Sequence, residues 1–197
     1  MNLVDRFLSG LIPRLPEDDA AQWAHVQGAS AEDLQGLRAQ WPKVPDSLLA
    51  LLSRVDGTHF REYPGGEVCV LMLGSDVGDG RYPYYLSSVA DIFEDQDQWD
   101  DSIRSIYEEW LEEEPEILGD GIDADLPMDR RLCFSQCANN DGTSKLYLDF
   151  DPAPGGTVGQ VVRYLHDPDS YTVIAPSFDA YLQQLIDGGY AFIDEDQ

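Results

Sequence analysis

The sequence predicts an α+β fold, a single domain in which a mainly antiparallel sheet is wrapped by helices. Three observations carry this. Residues 30–57 hold two short helix patterns. Residues 131–175 hold alternating apolar runs separated by Gly, Pro, Asn and Asp. A last helix pattern closes the chain before Gly188. At 197 residues and 43% hydrophobic composition, the chain can bury a sizeable core.

The first helix is SAEDLQGLRAQWP. Ser30 is placed to cap it with Asp33 three residues on, Leu34, Leu37 and Trp41 form one stripe, and Pro42 stops it. The second is VPDSLLALLSRVDG, capped by Asp46 or Ser47. Leu48, Leu51, Leu52 and Val55 form its apolar face, and Gly57 is placed for a left-handed C-terminal cap. GEVCVLMLG reads as a strand buried on both faces. GSDVGDG follows as a turn, because it lacks the spaced ligands and terminal Glu of a calcium loop. RYPYYLSS then brings Tyr82, Tyr84 and Tyr85 together.

The longest helical pattern runs from Ser88 to about Glu114, either continuous or broken near Asp100. Val89, Ile92, Phe93, Trp99, Ile103, Ile106, Tyr107, Trp110 and Leu111 recur at helical spacing, and the opposite face is mostly acidic. Pro115 ends it, and EPEILGDGIDADLPMD reads as an irregular acidic loop. RLCFSQC, KLYLDF, QVVRYLHD and SYTVIA are strands. ANNDGTS supplies a turn at Asn140, Asp141 and Gly142, and DPAPGGTVG supplies a loop. Leu146, Leu148 and Phe150 alternate with Tyr147 and Asp149. SFDAYLQQLIDGG is the closing helix, with Ser177 as its cap and Phe178, Tyr181, Leu182, Leu185 and Ile186 inward.

Charge restricts the partners. Twelve basic residues face 38 acidic ones, for a net charge of −26. Such a surface disfavours nucleic acid and anionic membranes and steers a basic partner inward. The charge is concentrated. Residues 91–129 carry sixteen acidic residues against Arg104 alone, which leaves −15 of the −26 on this stretch. No run of about 18 apolar residues occurs, so no membrane span is expected. MNLVDRFLSGLIP lacks the basic start, sustained apolar run and cleavage site of a signal peptide, and the default location is cytoplasmic.

Cys69, Cys133 and Cys137 are too few and wrongly spaced for a disulfide framework or zinc site. Four apart on a strand, Cys133 and Cys137 should share a face as buried thiols. No nucleophile elbow, phosphate loop, dinucleotide fingerprint or zincin motif is present, and no metal or cofactor is expected. Asp149 and Asp151 invite an acid/base or metal reading. Two aspartates at i and i+2 beside a loop do not secure the carboxylate separation that such chemistry needs. A carboxylate accepting backbone N–H groups and fixing the turn is the favoured role, ahead of partner contact and catalysis.

Three blocks in order resemble the SUKH superfamily, the Smi/Knr-like domain. VPDSLLALLSRVDGTHF resembles its helix with a following Gly pair, here Asp56-Gly57. LCFSQCANNDGTSKLYLDFDPAPGGTVGQVVRYLHD looks like its strand–turn–strand core, and APSFDAYLQQLI its final helix. The expected layout is a lead segment at 1–29, the Smi/Knr-like domain at 30–187 with an acidic helical insertion at about 88–129, and an acidic tail at 188–197. The insertion is longer than a minimal member would carry.

The resemblance implies a non-enzymatic binding protein, for bacterial members an immunity protein that neutralises a cognate toxin domain, often an enzyme acting on nucleic acid or nucleotides. The expected partner is then a basic toxin domain. Asp95, Asp97, Asp101, Glu108, Glu112 and Glu113 are candidates for the acidic face, and Tyr84 and Tyr85 for aromatic anchors. A regulator of the cell-wall-assembly type with a standing partner is the alternative, and a metal-dependent hydrolase using clustered Asp is a third reading. The sequence leaves the oligomeric state open.

Overall fold

A computed structural model of the chain describes residues 2–75, 82–98, 100–139, 142–166 and 168–193. In chain order its helices are α1 (Leu3–Leu11), α2 (Glu17–Trp23), α3 (Ala31–Gln40), α4 (Asp46–Leu52), α5 (Val89–Gln98), α6 (Ile103–Tyr107), α7 (Trp110–Glu113) and α8 (Phe178–Asp187). Its strands are β1 (Arg61–Tyr63), β2 (Gly66–Val68), β3 (Leu73–Ser75), β4 (Tyr82–Leu86), β5 (Arg131–Asn139), β6 (Gly142–Asp149), β7 (Gln160–Leu165) and β8 (Ser170–Ala175). The class is α+β, as expected. The chain divides into two compact units, one of Met1–Val89 with Asp179–Gln197 and one of Ala90–Phe178.

The first unit opens on α1 in the lead segment. Val4, Phe7, Leu8 and Leu11 fall on one stripe and are buried, and the Asn2 side chain accepts the Asp5 N–H at 2.8 Å. Helix α3 is capped as expected, with Ser30 Oγ accepting the Asp33 N–H at 3.1 Å. Leu37 and Trp41 are buried on its stripe. Helix α4 begins differently from the expectation. Its N-cap is Pro45, with no side-chain cap bond, and Asp46 instead pairs with Arg38. The helix also stops earlier, at Leu52. Gly57 is left-handed (φ +88°) in the turn beyond it, where a Cβ would meet the Ser88 backbone nitrogen at 2.7 Å. The preceding Asp56 is buried and divides its carboxylate between Arg61 (2.6 Å) and the N–H of Val89 (2.9 Å), the first residue of α5.

The expected strand GEVCVLMLG is two strands. Residues 66–68 pair with β1 in a hairpin and 73–75 pair with β4, so the ladder changes partner between them. Val70 and Met72 bridge the gap through bonds from their N–H groups to Thr58 O and Tyr84 O. Val68, Val70 and Met72 are fully buried while Cys69 and Leu71 are half-buried, so one face is covered more than the other. The Gly/Asp turn lies outside the described residues from Asp76 onward. Helix α8 follows Ser177 directly. Tyr181 on α8 donates to Gly74 O at 2.7 Å, and Tyr190 donates to Phe7 O at 2.9 Å.

The second unit is built on the antiparallel meander β5–β6–β7–β8. Its turn at Asn140 and Asp141 lies outside the described residues. Leu146, Leu148 and Phe150 are buried, and so are Tyr147 and Asp149, which places both faces of β6 under cover. A β-bulge between Cys133 and Ser135 shifts the register. Cys133 therefore opposes Tyr147 while Cys137 opposes Ser144. The thiols fall on opposite faces, contrary to the four-residue count, because the extra residue reverses the alternation. Both remain buried, and burial pushes the Cys137 thiol up to about 11.

The long acidic helix is broken into three. A capping box between Ser102 and Ser105 starts α6 afresh, and Glu108 turns left-handed (φ +48°) before α7. Trp99 lies outside the described residues. Beyond α7 the chain makes a 3-10 turn at Pro115–Ile117 and lies against β8. There Gly119 N–H donates to Tyr171 O at 2.8 Å. Ile103, Ile117, Ile122, Ala124 and Met128 join Cys133, Tyr147, Val162 and Tyr171 in one buried cluster.

One alkaline titration tests the first unit. Tyr63 donates to Gly57 O at 2.9 Å, and burial first, then the Asp56 carboxylate, push its phenol up to about 12. Its folded value lies above the unfolded value of about 10, so its contribution is full below pH 10 and is lost as pH rises toward 12. Tyr63→Phe should remove that increment. Urea melts between pH 9 and 12 should show wild type losing stability faster than the variant, and parallel curves would disprove it.

Candidate functional site

Asp149 and Asp151, the pair that suggested chemistry, are accounted for by the fold. Asp149 is completely buried. Its Oδ1 accepts the Asp151 N–H at 3.1 Å and its Oδ2 accepts Gln160 Nε2 at 3.2 Å. This is the turn-fixing role expected of it. The guanidinium of Arg131, also fully buried, comes within 3.9 Å of Asp149 Oδ2. Burial raises the Asp149 carboxyl against the opposing pull of Arg131 and the two donors. Arg131 donates to the carbonyls of Asp123 (2.6 Å) and Leu126 (3.1 Å), while its Nε has no hydrogen-bond partner. Asp151 is half-exposed and pairs with Arg130 at 3.1 Å. Among the described residues, no three His, Cys, Asp or Glu side chains converge as metal ligands would. No described helix is long and apolar enough to cross a membrane.

The candidate anchors lie in the first unit. Tyr84 is fully buried, on β4 opposite Leu73, so it is a core residue and offers no surface for a partner. The reason is strand alternation: β4 turns Tyr84 and Leu86 inward. Tyr85 is half-buried with its ring 4.9 Å from His59 and 6.3 Å from the exposed Phe60. The acidic candidates belong to the second unit. Asp95 is not a free surface charge, since it forms a largely buried ion pair with Lys145. Asp97, Asp101, Glu108, Glu112 and Glu113 are exposed. Glu108, Glu112 and Glu113 gather around α7.

What they gather around was not foreseen. Ile106 and Trp110 were expected on the core stripe of one helix. Ile106 on α6 and Trp110 beyond the break at Glu108 are instead 42% and 57% exposed. They border a hollow of about 300 Å³ with Tyr107, Glu114, Ile117 and Asp169. Tryptophan is among the residue types most enriched at interface hot spots.

Next to this hollow, and sharing Ile106, Tyr107 and Asp169 with it, is a cavity of about 550 Å³. Strand β6 supplies Tyr147 and Lys145, β7 supplies Tyr164, β8 supplies Tyr171, and α6 supplies Tyr107. Tyr164 and Tyr171 stack with centroids 4.8 Å apart, and Tyr107 meets Tyr171 edge-on at 6.2 Å. Asp169 gathers the polar ends. The Tyr107 hydroxyl donates to it, the Tyr164 hydroxyl donates at 3.2 Å, and His166 Nδ1 lies at 3.1 Å. Burial, then the bond to Asp169, raise the Tyr107 phenol far above its ordinary range. The spacing of Tyr164, His166, Asp169 and Tyr171 around one hairpin was the available sequence signal for this cluster.

The second unit is a curled antiparallel meander roofed by short helices, and the chain is an α+β protein. A model of the SMI1/KNR4 family (SUKH-1) matches residues 28–184, and the chain belongs to that family. No curated protein matches the sequence.

The two aspartates should separate cleanly in stability. Asp149→Ala leaves Arg131 buried without its carboxylate and should cost about 3–5 kcal/mol in urea denaturation. Asp151→Ala removes an exposed ion pair and should cost about 1 kcal/mol or less. Equal effects would refute the structural assignment.

Proposed function

We propose that this chain is a non-enzymatic immunity-type protein that binds and neutralises a cognate toxin domain with a basic surface. The observation that carries the reading is the exposed Trp110 and Ile106 set among Glu108, Glu112, Glu113 and Glu114. Family membership supports a binding role, and the net charge of −26 supports a basic partner. On this reading Asp97, Asp101, Glu112 and their neighbours steer the encounter. Charge on an exposed rim acts mainly on the association rate. Trp110 supplies affinity by burying its indole in the partner.

The test is co-expression with the C-terminal domain of the protein encoded immediately upstream. Survival of the cells and co-purification of the two chains is the expected result. Death regardless of this chain would remove that pair from consideration and favour a standing cellular partner of the regulator type.

Two variants resolve the roles of the face. Trp110→Ala should weaken the isolated complex about thirtyfold, the loss typical of an interface hot spot, while moving the urea midpoint little because the side chain is exposed. The triple change Asp97→Lys, Asp101→Lys, Glu112→Lys should lower the association rate by about tenfold or more at low salt and far less at high salt. An unchanged rate would place the interface elsewhere.

A further inference from the structure

The tyrosine-walled cavity of the second unit has a chemistry that the acidic face does not explain. We infer that it is a socket for a guanidinium group, an arginine side chain of the basic partner. This rests on the reading of the partner as basic.

Three observations select the ligand. First, Asp169 supplies a carboxylate within the wall that is held in place by Tyr107, Tyr164 and His166. A carboxylate fixed by hydrogen bonds to donors is preorganised and negative before any ligand arrives. Second, the one ammonium on the wall, Lys145, is bound to Asp95 with both side chains largely buried. With Lys145 engaged by Asp95, Asp169 presents a carboxylate at the polar end of the cavity, beside His166. An anionic ligand would meet repulsion there, and a neutral one would leave the field unused. Third, four tyrosines, Tyr107, Tyr147, Tyr164 and Tyr171, line the wall beside Ile106, Met128 and Gln136. Tyrosine rings attract cations, and a planar, weakly hydrated guanidinium suits such a site better than a compact ammonium.

The size and position agree. At about 550 Å³ the cavity has room for an arginine side chain. It shares Ile106, Tyr107 and Asp169 with the hollow beside Trp110, so one partner segment could fill both. The breaking of the acidic helix makes this possible, since α6 turns Tyr107 to the cavity while α7 leaves Trp110 outside it.

The experiment is a two-dimensional NMR titration of the full chain with N-acetyl-arginine amide and, in parallel, N-acetyl-citrulline amide, its neutral isostere. The expected result is saturable shifts at residues 106–107, 145–147 and 164–171 with the arginine probe and none of comparable size with citrulline. Asp169→Asn should weaken the arginine probe by about tenfold, the loss of one charge-assisted contact. If that variant loses the native amide dispersion, the arginine–citrulline comparison on the unaltered chain decides alone. Absence of saturable shifts at these residues, or equal response to citrulline, overturns the socket even if co-expression shows rescue from the toxin. Arginine-selective shifts in a chain that fails to protect cells would keep the socket and remove the immunity assignment.

Discussion

The second unit depends on one buried cation. Arg131 begins β5 with its side chain fully out of solvent, and a guanidinium so placed must find its acceptors inside the protein. It takes them from the acidic loop, at the carbonyls of Asp123 and Leu126. Asp149 lies opposite it in the β5–β6 register, and Gln160 opposite Asp149 in the β6–β7 register. Gln160 in turn donates to Gly121 O at 2.9 Å. Three neighbouring strands thus grip residues 121–126. The grip adds fixed hydrogen bonds to the burial of the loop's own apolar side chains. The grip places Ile122, Ala124 and Met128 in the core and brings the preceding short helices over β6, β7 and β8.

The same constraint shapes the site. Helix α6 is anchored at its start by the Ser102–Ser105 box and by Arg104 N–H bonding to Ala124 O at 2.9 Å. Its far end carries Tyr107 to Asp169. A continuous helix through residues 88–114 would have pointed Ile106 and Trp110 along one stripe with Ile103. Ile106 is already exposed on α6 itself, and the left-handed Glu108 separates Trp110 from that helix. Trp110 thus stands exposed among the carboxylates around α7. Cation recognition and fast electrostatic encounter are the two tasks for which carboxylates beside aromatic rings are suited.

Much of the fold was legible from residue patterns. Ser30 with Asp33, the stripe through Leu37 and Trp41, and the alternation of KLYLDF and QVVRYLHD each appear where the local chemistry places them. The helix at Leu3–Leu11 was missed, although Val4, Phe7, Leu8 and Leu11 recur at helical spacing. The acidic candidates at Asp97, Asp101, Glu108, Glu112 and Glu113 were legible too, because unpaired carboxylates on amphipathic segments stay in solvent. Asp95 and Tyr84 were misplaced for opposite reasons. A carboxylate was drawn inward by a lysine fifty residues away, and a tyrosine in a cluster of three fell on the inward phase of a short strand.

The sequence by itself determined the class, the capped α3, the strands of the second unit, the closing helix, and the charge and its concentration, and it favoured a turn-fixing role for Asp149. These follow from periodicity, capping and composition, which act over a few residues. Only the tertiary structure decided where β2 yields to β3, that Cys133 and Cys137 face apart, that the acidic helix breaks again at Glu108, and that Tyr107 and Tyr164 converge on Asp169. Each of these is set by which strand pairs with which or by a single backbone reversal. Such choices are made by contacts between residues distant in the chain, and no local pattern records them.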